Sequence, residues 1–179
     1  MLLIPDRDVE TRRLAAVRRY EILDTPPDGA FDRVAELAAR IFDVPVAIIS
    51  IVDEDRIWFK AHHGVSESQV GRDPGLCASA ILRDELTVIP DARRDPVALT
   101  NPLVAGKSGF CFYTAAPLRT ADGHNLGTLC VLDTQPREVT DKEREILRAL
   151  AAIVVDQMEL RLSARRSLGQ AARIPSSVE

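Results

Sequence analysis

Apolar positions recur along this chain in two rhythms. From Asp8 to Leu23 they fall at helical spacing, with Leu14, Val17 and Ile22 apolar and Arg12, Arg13, Arg18 and Arg19 as the charges of the helix. Asp24-Thr25-Pro26-Pro27 stops this helix, because proline lacks an amide donor and biases the residue before it to extended geometry. Asp28 is placed as the N-cap of a second helix running to Phe42, with Phe31, Val34, Ala35, Ala38 and Ile41 as its apolar stripe. The rhythm then changes. Val44 to Val52 is β-branched and apolar at successive positions, which predicts a strand covered on both faces. Asp53-Glu54-Asp55 turns the chain into a more polar partner, Arg56 to His62.

The middle of the chain is punctuated. Ser66 to Arg72 is read as a helical turn, Leu76 to Arg83 as a short helix after Pro74-Gly75, and Leu86 to Pro90 as a short strand. Asp91 to Ala105 is read as loop. Two apolar runs follow, Phe110 to Leu118 and Leu126 to Leu132, separated by a break that contains Asp122-Gly123. Asp-Gly between two strand-like runs is a strong hairpin signal. These runs also stay apolar at successive positions and so belong in the interior of a sheet. Thr140-Asp-Lys-Glu143 is a capping box that opens the longest helix, to about Arg166, with an apolar stripe of Ile146, Leu147, Leu150, Ile153, Val154, Met158 and Leu162. Residues 167–179 are expected to be a disordered tail. Hairpins with helices before and after them predict an α+β domain over residues 8–166, an antiparallel sheet covered on both faces.

Composition narrows the function classes. With 179 residues, 46% hydrophobic and 28% charged, the chain supports one domain with a sizeable core. A net charge of −4 argues against a nucleic-acid partner or an anionic membrane surface. No apolar run approaches the length of a membrane span, and the acidic N-terminus (Asp6, Asp8, Glu10) has no signal-peptide layout. Three cysteines, Cys77, Cys111 and Cys130, form no CxxC pair, so free thiols in the reducing cytoplasm are expected.

Six segments in order carry a family resemblance: YEILDTPPDGAFDRVAELAA (Tyr20 to Ala39), IISIVDEDRIWFKAHHG (Ile48 to Gly64), GRDPGLCASAI (Gly71 to Ile81), NPLV (Asn101 to Val104), FYTAAPL (Phe112 to Leu118) and LGTLCVLDTQPR (Leu126 to Arg137). The chain resembles the GAF domains found at the front of bacterial sensor kinases and cyclic-di-nucleotide signalling enzymes. The resemblance implies a central antiparallel sheet with terminal helices on one face and ligand-pocket loops and short helices on the other. A ligand site would then lie between the sheet and segments 64–83 and 91–110, with Trp58, Cys77, Ser79, Asp91, Cys111 and Tyr113 as candidate lining residues. Relatives often carry a His two residues after the Cys of the small helix. Ser79 stands there in this chain, which removes a Cys-x-His pair.

The candidate chemistry is weighed against ordinary structural roles. His62 and His63 are adjacent on a strand and point to opposite faces, so they cannot chelate together. No metal-ligand spacing and no phosphate-cradling loop is present, and neither a chromophore loop nor an axial haem His is found in the roof segments. No cofactor is assigned. Small buried hydrophobe is the commonest role of a free Cys, edge-strand packing the commonest for Trp58, and loop capping the commonest for Asp91 and Asn101. The leading expectation is a non-catalytic sensory module that binds a small ligand or senses redox or metabolic state. It would report through its terminal helices to an effector protein, since the segment after Arg166 is too short for kinase, cyclase or phosphatase chemistry. Cys77 lies in GLCASA, similar to a segment of the free methionine-(R)-sulfoxide reductases, so a thiol-dependent reductase is the rival. A dimerisation scaffold without ligand is a third reading. The long helix, with Ile146, Ile153 and Leu160 left over at the edge of its stripe and Leu14 and Val17 nearby, predicts a homodimer.

Overall fold

The computed structural model describes residues 6–96 and 98–171. Helices α1 (Arg7–Arg19) and α2 (Gly29–Phe42) lead into strands β1 (Val46–Val52), β2 (Arg56–His63) and β3 (Gln69–Gly71). A five-residue helix α3 (Leu76–Ala80), strand β4 (Thr87–Ile89), two 3₁₀ turns and the short α4 (Pro102–Ala105) form the middle. Strands β5 (Phe112–Arg119) and β6 (Asn125–Asp133) and the long α5 (Asp141–Ala171) complete the chain. The six strands make one antiparallel sheet in the order β3-β2-β1-β6-β5-β4. The α+β architecture predicted by the alternating rhythms is therefore present, with β1 and β6 at its centre.

Every residue of β1 is buried, and all of β6 except Asp133. Their side chains alternate between two cores. On one face Ala47, Ile49, Ile51, Leu129 and Val131 pack with α2 and α5 residues such as Phe31, Phe42, Leu147 and Val154. On the other, Val46, Ile48, Cys130 and Leu132 pack with Leu76, Ala80, Ala98 and Phe110 from α3 and the roof segments. This two-sided burial is why both strands lack charge at alternate positions. Gly127 pairs with Ile51 where β6 packs tightly on β1. A Cβ there would lie 1.8 Å from the Ser50 carbonyl oxygen, so no side chain fits.

The local signals are seated as their chemistry requires. The Asp28 side chain accepts from the Ala30 amide at 3.0 Å and caps α2. Thr140 accepts from the Glu143 amide at 3.2 Å while the Glu143 carboxylate accepts from the Thr140 amide at 2.8 Å, closing the capping box. The β5–β6 reversal spans residues 120–124, with Gly123 at φ 87° and its amide bonded to the Thr120 carbonyl.

Several expectations are corrected. α1 stops at Arg19, and Glu21 and Asp24 then take positive φ to swing the chain round, so Ile22 is buried from a turn rather than a helix. Segment 66–72 holds strand β3, with Val70 paired to Ile57, because the edge of β2 offers backbone partners to an extended segment. α3 ends at Ala80, and segment 91–105 contains two 3₁₀ turns and α4. Ile41 is exposed, while Ala39 and Phe42 take the inner side of α2. α5 continues to Ala171, past the expected end at Arg166 and through the first part of the expected tail; residues 172–179 lie outside the described residues. Leu14 and Val17 face the core and leave no apolar surface on α1 at those positions.

Arg13, expected among the surface charges of α1, is also buried. Its guanidinium donates to the Val52 carbonyl at 2.8 Å and to both oxygens of Glu10. Arg72 donates to the same Glu10 carboxylate and to the Asp53 carbonyl. This cluster ties α1 to the end of β1 and to β3. Burial pushes the Glu10 carboxyl up, but the hydrogen bonds and charges of Arg13 and Arg72 outweigh it and hold the group below its ordinary value of 4.5.

Two predictions follow from packing and charge. Gly127→Ala should destabilise the protein by about 2–4 kcal/mol in chemical denaturation, whereas Gly169→Ala, which meets nothing within 4 Å, should not. A loss below about 1 kcal/mol at position 127 would mean that β1 and β6 separate easily. Because the folded Glu10 pKa is depressed, its contribution is complete above pH 4.5 and fades as pH falls through the lower folded value. The stability difference between the wild type and Glu10→Gln should therefore be constant from pH 7 to about 5 and shrink on further acidification.

Candidate functional site

The roof face of the sheet is where the resemblance places a ligand. Cys77 enters from α3, Tyr113 from β5, Ser50 from β1, and Thr128 and Cys130 from β6. All five are buried. Cys77 Sγ lies 4.0 Å from Cys130 Sγ. The Tyr113 hydroxyl donates to Cys77 Sγ at 3.5 Å, and the Ser50 and Thr128 hydroxyls are 3.1 Å apart. Hydrogen-bonding side chains thus gather where apolar packing would otherwise be expected, and the roof residues Leu76, Ala98 and Phe110 close over them.

The electrostatics of the cluster are asymmetric. Donors from Cys130, Thr128, Tyr113 and Ser50 converge on the Cys77 sulfur and lower its pKa, against the burial that raises it. Cys130 is pushed well up by the proximity of Cys77 and by burial, so it is the thiol that keeps its proton. Burial, followed by the neighbouring sulfurs, pushes the Tyr113 phenol well above its ordinary range. If one group here ionises, it is Cys77.

The six sequence candidates divide. Cys77 and Tyr113 meet in the cluster. Ser79 is exposed near the end of α3, its hydroxyl 3.5 Å from the Gly75 carbonyl, and so does not join the cluster. Asp91 caps a 3₁₀ turn by accepting from the Arg93 amide, and the Arg93 guanidinium holds its carboxyl at about 2. Cys111 is buried beside that turn, donates to the Thr134 carbonyl at 3.1 Å, and has its pKa raised by burial. Trp58 faces the opposite core, with the helices, because strand alternation sends Ile57 and Phe59 to the roof and Trp58 away from it. Asn101 has a structural role, its amide donating to the Pro74 carbonyl at 2.7 Å. His62 and His63 are both exposed, so Cys77 has no imidazole partner. Among the described residues no group of three metal-ligating side chains is assembled. Nothing in the sequence marks Cys130, Ser50 and Thr128 as site residues, because each reads as an ordinary member of an apolar strand.

On the helix face, a cleft of about 210 Å³ lies between the α1–α2 connection, β2 and α5. Lys60, Arg161 and Arg165 line it with Asp28. None of the sequence candidates lines it.

Among the described residues no helix is long and apolar enough to cross a membrane. In sequence, the chain is 37% identical over 152 residues to a cyclic di-GMP phosphodiesterase from Pseudomonas aeruginosa; the match covers 84% of this chain and 26% of the relative. In structure, it is similar to the free methionine-R-sulfoxide reductase of Neisseria meningitidis (TM-score 0.64, 16% identity, covering 90% of this chain and 96% of that one). It is also similar to the GAF domain of an Acinetobacter phosphoenolpyruvate-protein phosphotransferase (TM-score 0.61, 18% identity, covering 89% and 98%). At such identities the structural likeness shows the fold alone. The GAF domain family model matches residues 26–157, the span from the α1–α2 connection to the middle of α5, and the chain belongs to the GAF domain family.

Proposed function

We propose that this chain is a non-catalytic sensory module whose input is the roof-face cluster and whose output is carried by α1 and α5 to an effector protein. One observation carries the reading: two buried thiols, Cys77 and Cys130, 4.0 Å apart beneath the roof. Side chains occupy this space, so a small ligand would have to displace Tyr113 or lift α3. The thiols are already adjacent, which makes redox state the input this geometry favours. With a peroxide as oxidant, two thiols give up two electrons and two protons, one S–S bond forms and two waters leave. The sulfurs would then close from 4.0 Å to about 2.05 Å. Cys130 lies between Leu129 and Val131 on β6, and both of these pack in the helix-side core, so movement at Cys130 is felt beneath the terminal helices. The match to a segment of a cyclic di-GMP phosphodiesterase supports an effector of the cyclic-dinucleotide signalling class.

The module is also proposed to act as a homodimer. α5 has 31 residues, about 46 Å of helix, and the last residue it buries is Leu162. Ile153, Leu160 and Leu168 are exposed at 46%, 62% and 72% and fall on one side of the helix at spacings of seven and eight residues. With Leu14 and Val17 in the core, the paired surface is chiefly α5, with the exposed Val9 of α1 beside it. An interface of about 800 Å² per partner is the usual size for a stable pair.

Thiol chemistry and light scattering test this reading. A chromogenic disulfide should report little rapid thiol signal from the native protein and three thiols after denaturation, because all three cysteines are buried. Hydrogen peroxide should then yield a Cys77–Cys130 cross-link by peptide mass spectrometry, absent in Cys77→Ser. Fast native labelling, or oxidation that leaves both thiols free, overturns the redox reading. Turnover of free methionine-(R)-sulfoxide with a thioredoxin-type reductant, lost in Cys77→Ser, would replace it with the reductase reading. For the dimer, light scattering at tens of micromolar should give twice the chain mass, and Ile153→Glu should shift it to monomer. A monomeric wild type, or an unchanged mass for the variant, removes this interface.

A further inference from the structure

The helix-side cleft is on the other side of the sheet from the thiol cluster and shares no residue with it. Its floor is apolar, formed by Ile22, Phe31 and Met158. Lys60 enters it from β2 at a bulge, where the β1 register steps from Ala61 to Phe59 and leaves Lys60 as the extra residue. A bulge of this kind re-aims a side chain, and here it sends a lysine into an interior otherwise occupied by Phe31 and Trp58.

Lys60 is 6% exposed, and a buried ammonium is costly unless its donors are used. Two of its three protons are used, by the Thr25 hydroxyl and the Pro26 carbonyl, both at 2.8 Å. Arg161 reaches the same aromatic ring: its guanidinium carbon is 4.8 Å from the Phe31 centroid, and Lys60 Nζ is 5.3 Å from it. Arg161 pairs with Asp28, but its Nε is buried and has no hydrogen-bond partner among the described residues. Arg165 stands at the rim, held by the carbonyls of Tyr20 and Glu21 at 3.1 and 3.0 Å.

Asp32 is exposed and outside the cleft lining, and the other nearby carboxylates are already engaged. Asp28 accepts from the Ala30 amide and from Arg161, Glu159 accepts from the Tyr20 hydroxyl, and Glu21 lies 3.7 Å from Arg165. Three cations therefore line the cleft against one neutralised carboxylate. Burial, and after it the charges of Arg161 and Arg165, push the Lys60 pKa down, against Asp28 and Asp32, which push it up. An added negative charge would relieve that strain.

We propose that this cleft binds a small organic anion, a carboxylate on a compact apolar body, with Lys60, Arg161 and Arg165 holding the charge and Phe31 and Met158 the body. The size limits the ligand. An apolar cavity of about 150 Å³ holds one benzene ring, so 210 Å³ admits a ring-sized body with its carboxylate and little more. The site joins three parts of the chain: the α1–α2 connection, β2 and α5. A bound anion would cross-link them and hold α5 against the domain.

Benzoate is the probe, with benzamide as its neutral isostere and inorganic phosphate as a compact anion without an apolar body. The full chain contains one tryptophan, Trp58, 5.9 Å from Lys60 Nζ, so its fluorescence reports the site alongside titration calorimetry. Benzoate should bind at least about tenfold more tightly than benzamide, a difference of about 1.4 kcal/mol, and more tightly than phosphate. Arg161→Gln should weaken benzoate about tenfold, and Arg165→Gln, at the more exposed rim, should weaken it as well in a protein whose circular dichroism matches the wild type, which keeps the test valid if Arg161→Gln fails to fold. Cys77→Ser should bind benzoate like the wild type, separating this site from the roof cluster. Equal binding of benzoate and benzamide, tighter binding of phosphate, no binding of benzoate, or unchanged affinity in both arginine variants would each overturn the proposal.

Discussion

β6 lies against β1 so closely that the Ser50 carbonyl fills the space a side chain at Gly127 would need. Most other features of the fold depend on that contact. It sets the register that pairs Ser50 with Thr128 and Ile48 with Cys130, and so decides which side chains face the roof and which face the helices. A slip of one residue would put Cys130 among Phe31 and Leu147 and bring Leu129 beneath α3. The two cores are thus two readings of the same pair of strands, and a change felt on one face of β6 is transmitted to the other by the backbone that both share.

Around this sheet, long cationic side chains act as clamps on backbone carbonyls at the ends of elements. Arg13 takes the carbonyl of Val52, Arg72 that of Asp53, Lys60 that of Pro26, Arg137 that of Phe42, and Arg165 those of Tyr20 and Glu21. These carbonyls lie at or beside the ends of helices, strands and turns, where regular partners run out. A charged donor satisfies it more strongly than a neutral one. The same device brings Lys60 and Arg165 to the cleft, so its positive lining is partly a by-product of closing the α1–α2 connection onto α5.

The chain, a member of the GAF family, carries different side-chain chemistry on the two faces of its sheet. The roof side holds polar and sulfur chemistry sealed under short irregular segments, which open more easily than packed helices. The helix side holds the long α5, which runs to Ala171, nine residues past Leu162, the last residue seen to be buried on it. The thiol pair belongs to the first side and the basic cleft to the second. Both lie against elements that contact α5 or the strands beneath it.

The sequence by itself determined the order and kind of nearly all the elements. Each was written in local chemistry: Asp28 and the Thr140–Glu143 box for helix starts, β-branched runs for β1 and β6, Asp122-Gly123 for the reversal. The six family segments then named the fold. What sequence could not decide was contact across the sheet. Trp58 and Tyr113 looked alike as pocket walls, yet strand parity sends them to opposite faces. Arg13 reads as one of the charges of a surface helix, yet a carbonyl at the end of β1 draws it inside, and nothing local marks Lys60 as the residue that a β-bulge buries. Segment 66–72 reads locally as a helical turn, because the strand character of β3 comes from the free edge of β2 and not from its own residues. Cys130 gave no sign of a role until the register placed it 4.0 Å from Cys77, 53 residues away. Local preference is carried by neighbours in the chain, whereas burial, pairing and charge compensation are set by residues far along it, and only the folded structure brings those together.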